Sequence, residues 1–297
     1  MIAREYSLTQ ADEGPQSVIN RILLAIDHLL SLRNIESSKL NSISIAAAGA
    51  IDFDRGVITM SPNLPGWYDI PLRDIVREKH AVNTFLINDA SAAALGEHHF
   101  GAGKGVDNLI YLTVSTGIGG GIIIDGELYT GLSGSAGEIG HMTIDVNGPK
   151  CNCGNIGCLE TLASGTAVAQ EAKRRISQGE KSSLTEIVQG EIENITAEEV
   201  SLAAQGGDSL ALEVISKAAT YLGIGMVNLV NIFNPEMIIV GGGMAKMGDL
   251  LLNPARQVVR ERAFEISAQA VRIVPALLGD DAGVLGAAVF AFQQKQG

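Results

Sequence analysis

Basic residues are scarce in this sequence. Its 297 residues carry 21 Lys and Arg against 33 Asp and Glu, a formal charge of −12. A surface that acidic repels phosphate backbones and anionic lipid, so neither nucleic acid nor a membrane is expected as a direct partner. Long apolar runs are missing too: no stretch approaches the roughly 20 apolar residues that span a bilayer, and the opening MIAREYSLTQ has no apolar signal core. The expected location is cytoplasmic. Cysteine is confined to Cys151, Cys153 and Cys158, in one short loop. An odd, clustered set in a reducing compartment argues for metal rather than disulfides. What is present in quantity is apolar side chains, 46% against 18% charged, and glycine, 35 residues. That composition excludes a disordered chain and a coiled coil, and so much glycine implies tight turns or close backbone approach to a ligand.

The length suits about two domains. Val18, Ile19, Ile22, Leu23, Ile26, Leu29 and Leu30 recur at helical spacing behind Pro15, which suits a first helical turn. A strand-like piece, Arg4 to Leu8, precedes this helix, and a strand from Ser42 to Ala48 follows it. A helix from Pro71 to Lys79, a strand from Thr84 to Asn88 and an Ala-rich helix from Asp89 to Phe100 complete the first part. The second part starts afresh with Leu109 to Val114, a Gly-rich turn at Gly117 to Gly121 and Ile122 to Ile124, a hairpin pattern. A strand near Met142 to Asp145, the Cys loop and helices between Ser164 and Phe233 come next. Strand Met237 to Val240, helix Leu250 to Arg262, strand Val271 to Val274 and helix Ala282 to Phe292 close the chain. The series β-β-β-α-β-α-β-α, set against β-α-β-α-β-α before it, implies two related α/β halves, the first without its opening hairpin.

The spacing His141-x9-Cys151-x-Cys153-x4-Cys158 offers one imidazole and three thiolates, a soft set for tetrahedral Zn2+ in a structural site. Ser115-Thr116-Gly117-Ile118-Gly119-Gly120-Gly121 can present backbone N–H groups to phosphate, or be a plain hairpin turn. Gly241-Gly242-Gly243 closes a strand where α/β sheets bind ligands, or is a tight turn. Asp89 lies at the carboxyl end of a strand, placed for a general base or for a helix cap. Glu138, His141 and Glu160 flank the Cys loop, able to bond a hydroxylated ligand or to be solvated. Trp67 fits core packing better than ligand stacking.

Taken in order, Ser61-Pro62-Asn63-Leu64-Pro65-Gly66-Trp67, Asn88-Asp89-Ala90-Ser91, Ser115-Thr116-Gly117-Ile118-Gly119, Gly137-Glu138-Ile139-Gly140-His141, Cys151-x-Cys153-Gly154-x-x-Gly157-Cys158-Leu159-Glu160 and Ile239-Val240-Gly241-Gly242-Gly243 resemble the ROK family of bacterial sugar kinases and related repressors. The resemblance covers nearly the whole chain. It implies an α/β, actin/hexokinase-like (ribonuclease H-like) two-domain fold. The expected division is residues 1–100 plus 283–297 in a smaller domain and 101–282 in a larger one, with a zinc loop at 141–160. It implies ATP-dependent, glucokinase-like phosphorylation of a hexose or amino-hexose at the 6-hydroxyl, with Mg2+ accompanying ATP. Asp89 would be the catalytic base, and Asn63, Asn88, Glu138, His141 and Glu160 would hold the sugar. Thr116, Gly117 and Gly119 would meet phosphate, with Gly241, Gly242 and Gly243 near the nucleotide. Zn2+ would sit on His141, Cys151, Cys153 and Cys158. A homodimer or homotetramer is expected.

Family kinases open with a strand, an Asp-x-Gly-Gly-Thr turn and a second strand, and this sequence begins just after that hairpin. A mis-assigned start codon or a truncation is the expected cause, with weak hexose binding and poor phosphorylation as the expected result. Ala48-Gly49-Ala50 stands where many members have Pro-Gly-Pro. The alternative is a non-catalytic sugar-binding regulator; the expected lack of a helix-turn-helix and the acidic charge disfavour DNA contact. Which hexose is bound depends on pocket shape.

Overall fold

A computed structural model describes residues 1–61 and 64–294. The chain forms two compact units, one of Met1–Gly96 with Thr130–Ala136 and the segment from Asp281 onward, the other of Glu97–Tyr129 with Gly137–Asp280.

In the first unit, helix α1 (Pro15–Leu32) starts on its Pro and buries Val18 and Ile19. Strands β1 (Ile43–Ala47), β2 (Ala50–Asp52), β3 (Val57–Met60) and β4 (Tyr68–Ile70) lead to helix α2 (Leu72–His80), strand β5 (Thr84–Asn88) and helix α3 (Asp89–Phe100). β1 pairs in parallel with β5, Ala47 opposite Asn88, while β2, β3 and β4 form a separate antiparallel sheet. The core gathers Val18, Ile19, Ile51, Ile58, Trp67, Leu72, Val76 and Leu86. Trp67 is 2% exposed, a packing residue.

Two readings of this part need correction. Arg4 to Leu8 forms no strand, because no other segment among the described residues offers it a ladder. The three-stranded sheet between Ala50 and Ile70 escaped the sequence pattern, its strands being only three or four residues long.

The second unit is built on strands β6 (Leu109–Val114), β7 (Ile118–Ile124) and β8 (Glu127–Leu128), helices α4 (Leu159–Ala163), α5 (Gly165–Ser177), α6 (Leu184–Ile187), α7 (Ala197–Gln205) and α8 (Ser209–Phe233), strand β9 (Met237–Gly241), helices α9 (Asp249–Arg262) and α10 (Glu265–Ala270), and strand β10 (Arg272–Pro275). Helix α11 (Ala282–Gln293) returns to the first unit and packs on β1. The five-stranded sheet runs β10-β9-β6-β7-β8, with β9 parallel to both β6 and β10 and the β6–β7–β8 pairings antiparallel. Leu109, Leu112, Ile238, Ile239 and Val240 are fully buried, as expected for central strands covered on both faces.

Here too the sequence reading is adjusted. Gly119, Gly120 and Gly121 belong to β7 rather than to the turn, Gly120 facing Leu112. A Cβ at Gly120 would run into Ile139, so the glycine marks close approach to the strand. Met142 to Asp145 is not a strand; only Thr143 bridges to Cys158 there, the surrounding backbone being spent on the Cys loop. α8 corrects the count of apolar runs: at 25 residues it is long and apolar enough to cross a bilayer by length and composition, yet most of it is buried, packed on α4, α5, α7 and α9.

The unit boundaries also differ from those expected. Thr130–Ala136 joins the first unit, with Gly134 against the Phe53 ring. Glu97, the next residue of α3, belongs to the second unit. Its wholly buried carboxylate accepts hydrogen bonds from the N–H groups of Ala102 (2.8 Å), Leu277 (2.9 Å) and Leu278 (2.7 Å). Glu97→Ala leaves three partly buried backbone N–H groups without their acceptor and is expected to cost about 1 to 3 kcal/mol. Urea unfolding of the two proteins checks this, and a loss below about 1 kcal/mol would contradict the assigned role.

Candidate active site

Parallel pairing of β6 with β9 sets Thr113 opposite Gly241, which brings the carboxyl ends of both strands to one edge of the sheet. The turn Ser115–Gly117 and the glycines Gly241 to Gly243 therefore lie side by side. A Cβ on Gly242, at φ +84°, would meet the carbonyl of Val114 at 2.5 Å, so only glycine fits there. Beyond them opens a cavity of about 790 Å3 lined by Ser115, Thr116, Thr166, Gln170, Gly243 and Lys246, with α7 forming another wall and Met244 and Met247 adding apolar surface. That volume lies within the range of small-molecule sites. Neither the N–H nor the hydroxyl of Thr116 has a hydrogen-bond partner among the described residues, and the residue is exposed. Gly117 borders the same turn, while Gly119 stands one residue inside β7 opposite Thr113.

The Cys loop packs beside this edge. Residues Ile139–His141 form a single 3-10 turn that contacts β7, and His141 meets the three cysteines, the four ligand atoms lying within 4.8 Å of one another. Cys151 Sγ is 3.7 Å from His141 Nδ1, and Cys153 Sγ is 3.7 Å from Cys158 Sγ. Ligands on a tetrahedral ion with metal–sulfur bonds of about 2.3 Å stand about 3.7 Å apart, so the donor set fits Zn2+ in both chemistry and spacing. Burial holds the Cys151 thiol above its ordinary pKa and pushes Cys158 up to about 12, while the Asn155 N–H draws Cys153 down. A cation is what permits all three to ionise together. Gly157, at φ +65°, allows Asp145 O to press against its Cα where a Cβ would not fit.

His141 presents two different faces. Nδ1 points to Cys151, and Nε2 lies 3.8 Å from Glu138 Oε2, an ion-pair contact longer than a hydrogen bond. Glu160 Oε2 accepts a hydrogen bond from Ile118 N at 2.8 Å, tying the residue after the Cys loop to the β6–β7 turn.

In the first unit, Asn88 caps α3. Its Oδ1 accepts from Ala90 N (3.0 Å) and Ser91 N (3.1 Å), and its Nδ2 donates to Gly49 O (3.2 Å). The capping task that the sequence left open for Asp89 thus belongs mainly to Asn88. Asp89 Oδ1 accepts from Ala90 N at 2.8 Å. Although the residue is exposed over part of its surface, the protein packed around the carboxyl desolvates it and raises its pKa above the ordinary 3.8, against the lowering effect of the Ala90 N–H. A carboxylate made more basic by its surroundings is suited to accept a proton. Asn63 lies outside the described residues.

The sequence reading missed Gly165 and Thr166, whose N–H and hydroxyl groups bond Ser115 O and Thr116 O. It also missed Gln170, Ser201 and Lys246 along the cavity. These are polar residues on helix faces and turns, and no spacing marks them.

The family model described as "ROK family" matches residues 2–294. The chain belongs to the ROK family. It is 40% identical to a glucokinase of Halalkalibacterium halodurans over 97% of its own length and 87% of that protein's. It is 36% identical to a xylose repressor of Caldicellulosiruptor bescii, over 96% and 71% of the two chains. Among solved structures, a ROK family glucokinase from Streptomyces griseus in complex with glucose and AMPPNP matches with a TM-score of 0.83 and 35% identity, covering 94% of this chain and 88% of that one. The fold is thus that of the ROK glucokinases, which is actin/hexokinase-like.

The raised pKa of Asp89 has a thermodynamic sign. The folded chain binds this proton more tightly than the unfolded chain, so the ionised carboxyl destabilises the fold. That cost is absent below the unfolded value of 3.8 and develops as pH rises through the folded one. Asp89→Asn is expected to raise Tm at pH 7 and to gain little at pH 3. Calorimetry at both values measures it, and an unchanged or lower Tm at pH 7 would contradict the desolvation argument.

Proposed function

We propose that the protein is an ATP-dependent hexose kinase that transfers the γ-phosphoryl group to the 6-hydroxyl. The observation that carries the reading is the juxtaposition, in the second unit, of the Thr116 turn and Gly241–Gly243 at the mouth of a nucleotide-sized cavity, with Glu160 bonded to the same turn. The glucokinase relatives support it, including one whose structure was solved with glucose and AMPPNP.

In this reaction Asp89 is the base. Its carboxylate accepts the proton of the attacking hydroxyl as the oxygen bonds to phosphorus and the bond to the bridging oxygen of ADP breaks. Glu138, His141 and Glu160 receive sugar hydroxyls, and Asn88, with one amide hydrogen still available, donates another bond. Asn63 takes part by family resemblance alone. The N–H and hydroxyl of Thr116, with the backbone at Gly117 and Gly119, stabilise phosphate charge, and Gly241, Gly242 and Gly243 let the nucleotide approach the backbone. Mg2+ accompanies ATP. Zn2+ on His141, Cys151, Cys153 and Cys158 is structural, since four protein ligands leave no open position. Elemental analysis of purified, tag-free protein is expected to find one zinc per chain; none would overturn that assignment.

The kinase reading is tested by a coupled ADP-release assay over a panel of hexoses. Turnover with at least one is expected. Asp89→Asn should lower kcat by about 100-fold or more while leaving sugar KM near its original value. The acid limb of kcat/KM should lie above pH 3.8, the ordinary value from which the Asp89 pKa is raised. Near-normal turnover by the Asn variant would remove Asp89 from the mechanism. The same assay on a version carrying about 25 to 30 further upstream residues, the length of two strands and a turn, tests whether a phosphate-binding hairpin adds to the rate.

A second reading is favoured by the xylose repressor relative: a regulator that binds sugar without turning it over. Sugar binding with no ADP release, from either version, would establish it over the first.

A further inference from the structure

A single stretch of chain connects the Cys loop to the nucleotide turn. Cys158, one of the four candidate metal ligands, stands immediately before α4. Two residues on, the Glu160 carboxylate takes the N–H of Ile118 at 2.8 Å. At the start of α5, Gly165 N donates to Ser115 O at 2.7 Å, and the Thr166 hydroxyl donates to Thr116 O at 2.8 Å. The turn is thus gripped at three successive points by one nine-residue segment.

That segment is fixed to the loop at its other end. Leu159 N donates to Met142 O at 2.9 Å and Ile144 N to Gly157 O at 2.7 Å. The wholly buried Leu159 packs against Gly225 of α8, where a Cβ would come within 2.7 Å of it. The segment is short, hydrogen-bonded at both ends and held in the core between them. Disorder at Cys158 therefore moves Glu160 and, through it, the donors and acceptors that shape the turn.

We propose, resting on the kinase reading above, that Cys158–Thr166 is a positioning strap: filling the metal site fixes the Ser115–Ile118 turn, and emptying it weakens nucleotide binding as well as sugar binding. Thr166 is the positioning residue at the strap's far end. The competing view has the turn held by the β6–β7 and β6–β9 ladders alone, with the loop serving only the sugar.

The test is hydrogen exchange on the full chain, zinc-loaded and after chelation, with no nucleotide or sugar present, followed by MgADP and glucose titrations. Zinc removal is expected to speed exchange at Ile118 about tenfold or more, while the buried amides of β9 keep their rates. In zinc-loaded protein, Thr166→Val should keep one zinc per chain and its glucose Kd but raise the MgADP Kd about five- to tenfold, the loss of one hydrogen bond. Thr166→Ser should restore it. Unchanged exchange at Ile118 in protein shown to be free of zinc would overturn the strap, as would an unaltered MgADP Kd in Thr166→Val. If chelation opens β9 as well, the Thr166 pair decides. Faster exchange at Ile118 in a protein that binds no MgADP would support the mechanical link and overturn the kinase reading instead.

Discussion

The register of β6 against β9 is the constraint on which the second unit's candidate chemistry depends. Because Thr113 faces Gly241, the two glycine-rich turns emerge together at one sheet edge, and a shift of one residue would separate them and misplace the side chains packed on both faces of the sheet. The buried run from Met237 to Gly241 enforces the register, since every one of its residues is covered by helices or neighbouring strands. The cavity, the docking of the Ile139–His141 turn on β7 and the reach of Glu160 to Ile118 all follow from where that edge falls.

The first unit holds the carboxylate proposed as the base by a different device. β1 and β5 run in parallel to Ala47 and Asn88, so the Gly49 carbonyl meets the Asn88 amide. Asn88 then satisfies the first amides of α3, a task that the next residue would otherwise perform. Asp89 keeps the raised basicity that its packed surroundings impose. The division of labour between adjacent residues, one capping and one left more basic, gives the pair Asn88-Asp89 a physical reason.

Much of this was legible in the sequence wherever the signal was local. The helical period behind Pro15 located α1, Thr84 to Asn88 matched β5 residue for residue, and the spacing of one His and three Cys marked a cluster whose atoms do converge. What escaped depended on partners distant in the chain. Arg4 to Leu8 has a strand-like composition but no ladder among the described residues, and Met142 to Asp145 alternates like a strand while its backbone bonds to Gly157 and Leu159 instead. Gly119 to Gly121 read as a turn because glycine is ambiguous, and the bulk of Ile139 explains Gly120 within a strand. Thr166 carried no signal, since its importance arises only when α5 is brought to Thr116.

The central claim is that the two glycine-rich turns of the second unit form one nucleotide site. A crystal structure of the protein with glucose and a non-hydrolysable ATP analogue measures this most directly. The account expects the phosphates over Thr116 and Gly117, the rest of the nucleotide beside Gly241 to Gly243 and within the neighbouring cavity, and the sugar against Glu138, His141 and Glu160. Phosphates bound away from both turns, or a cavity still empty beside an ordered analogue elsewhere, would contradict it.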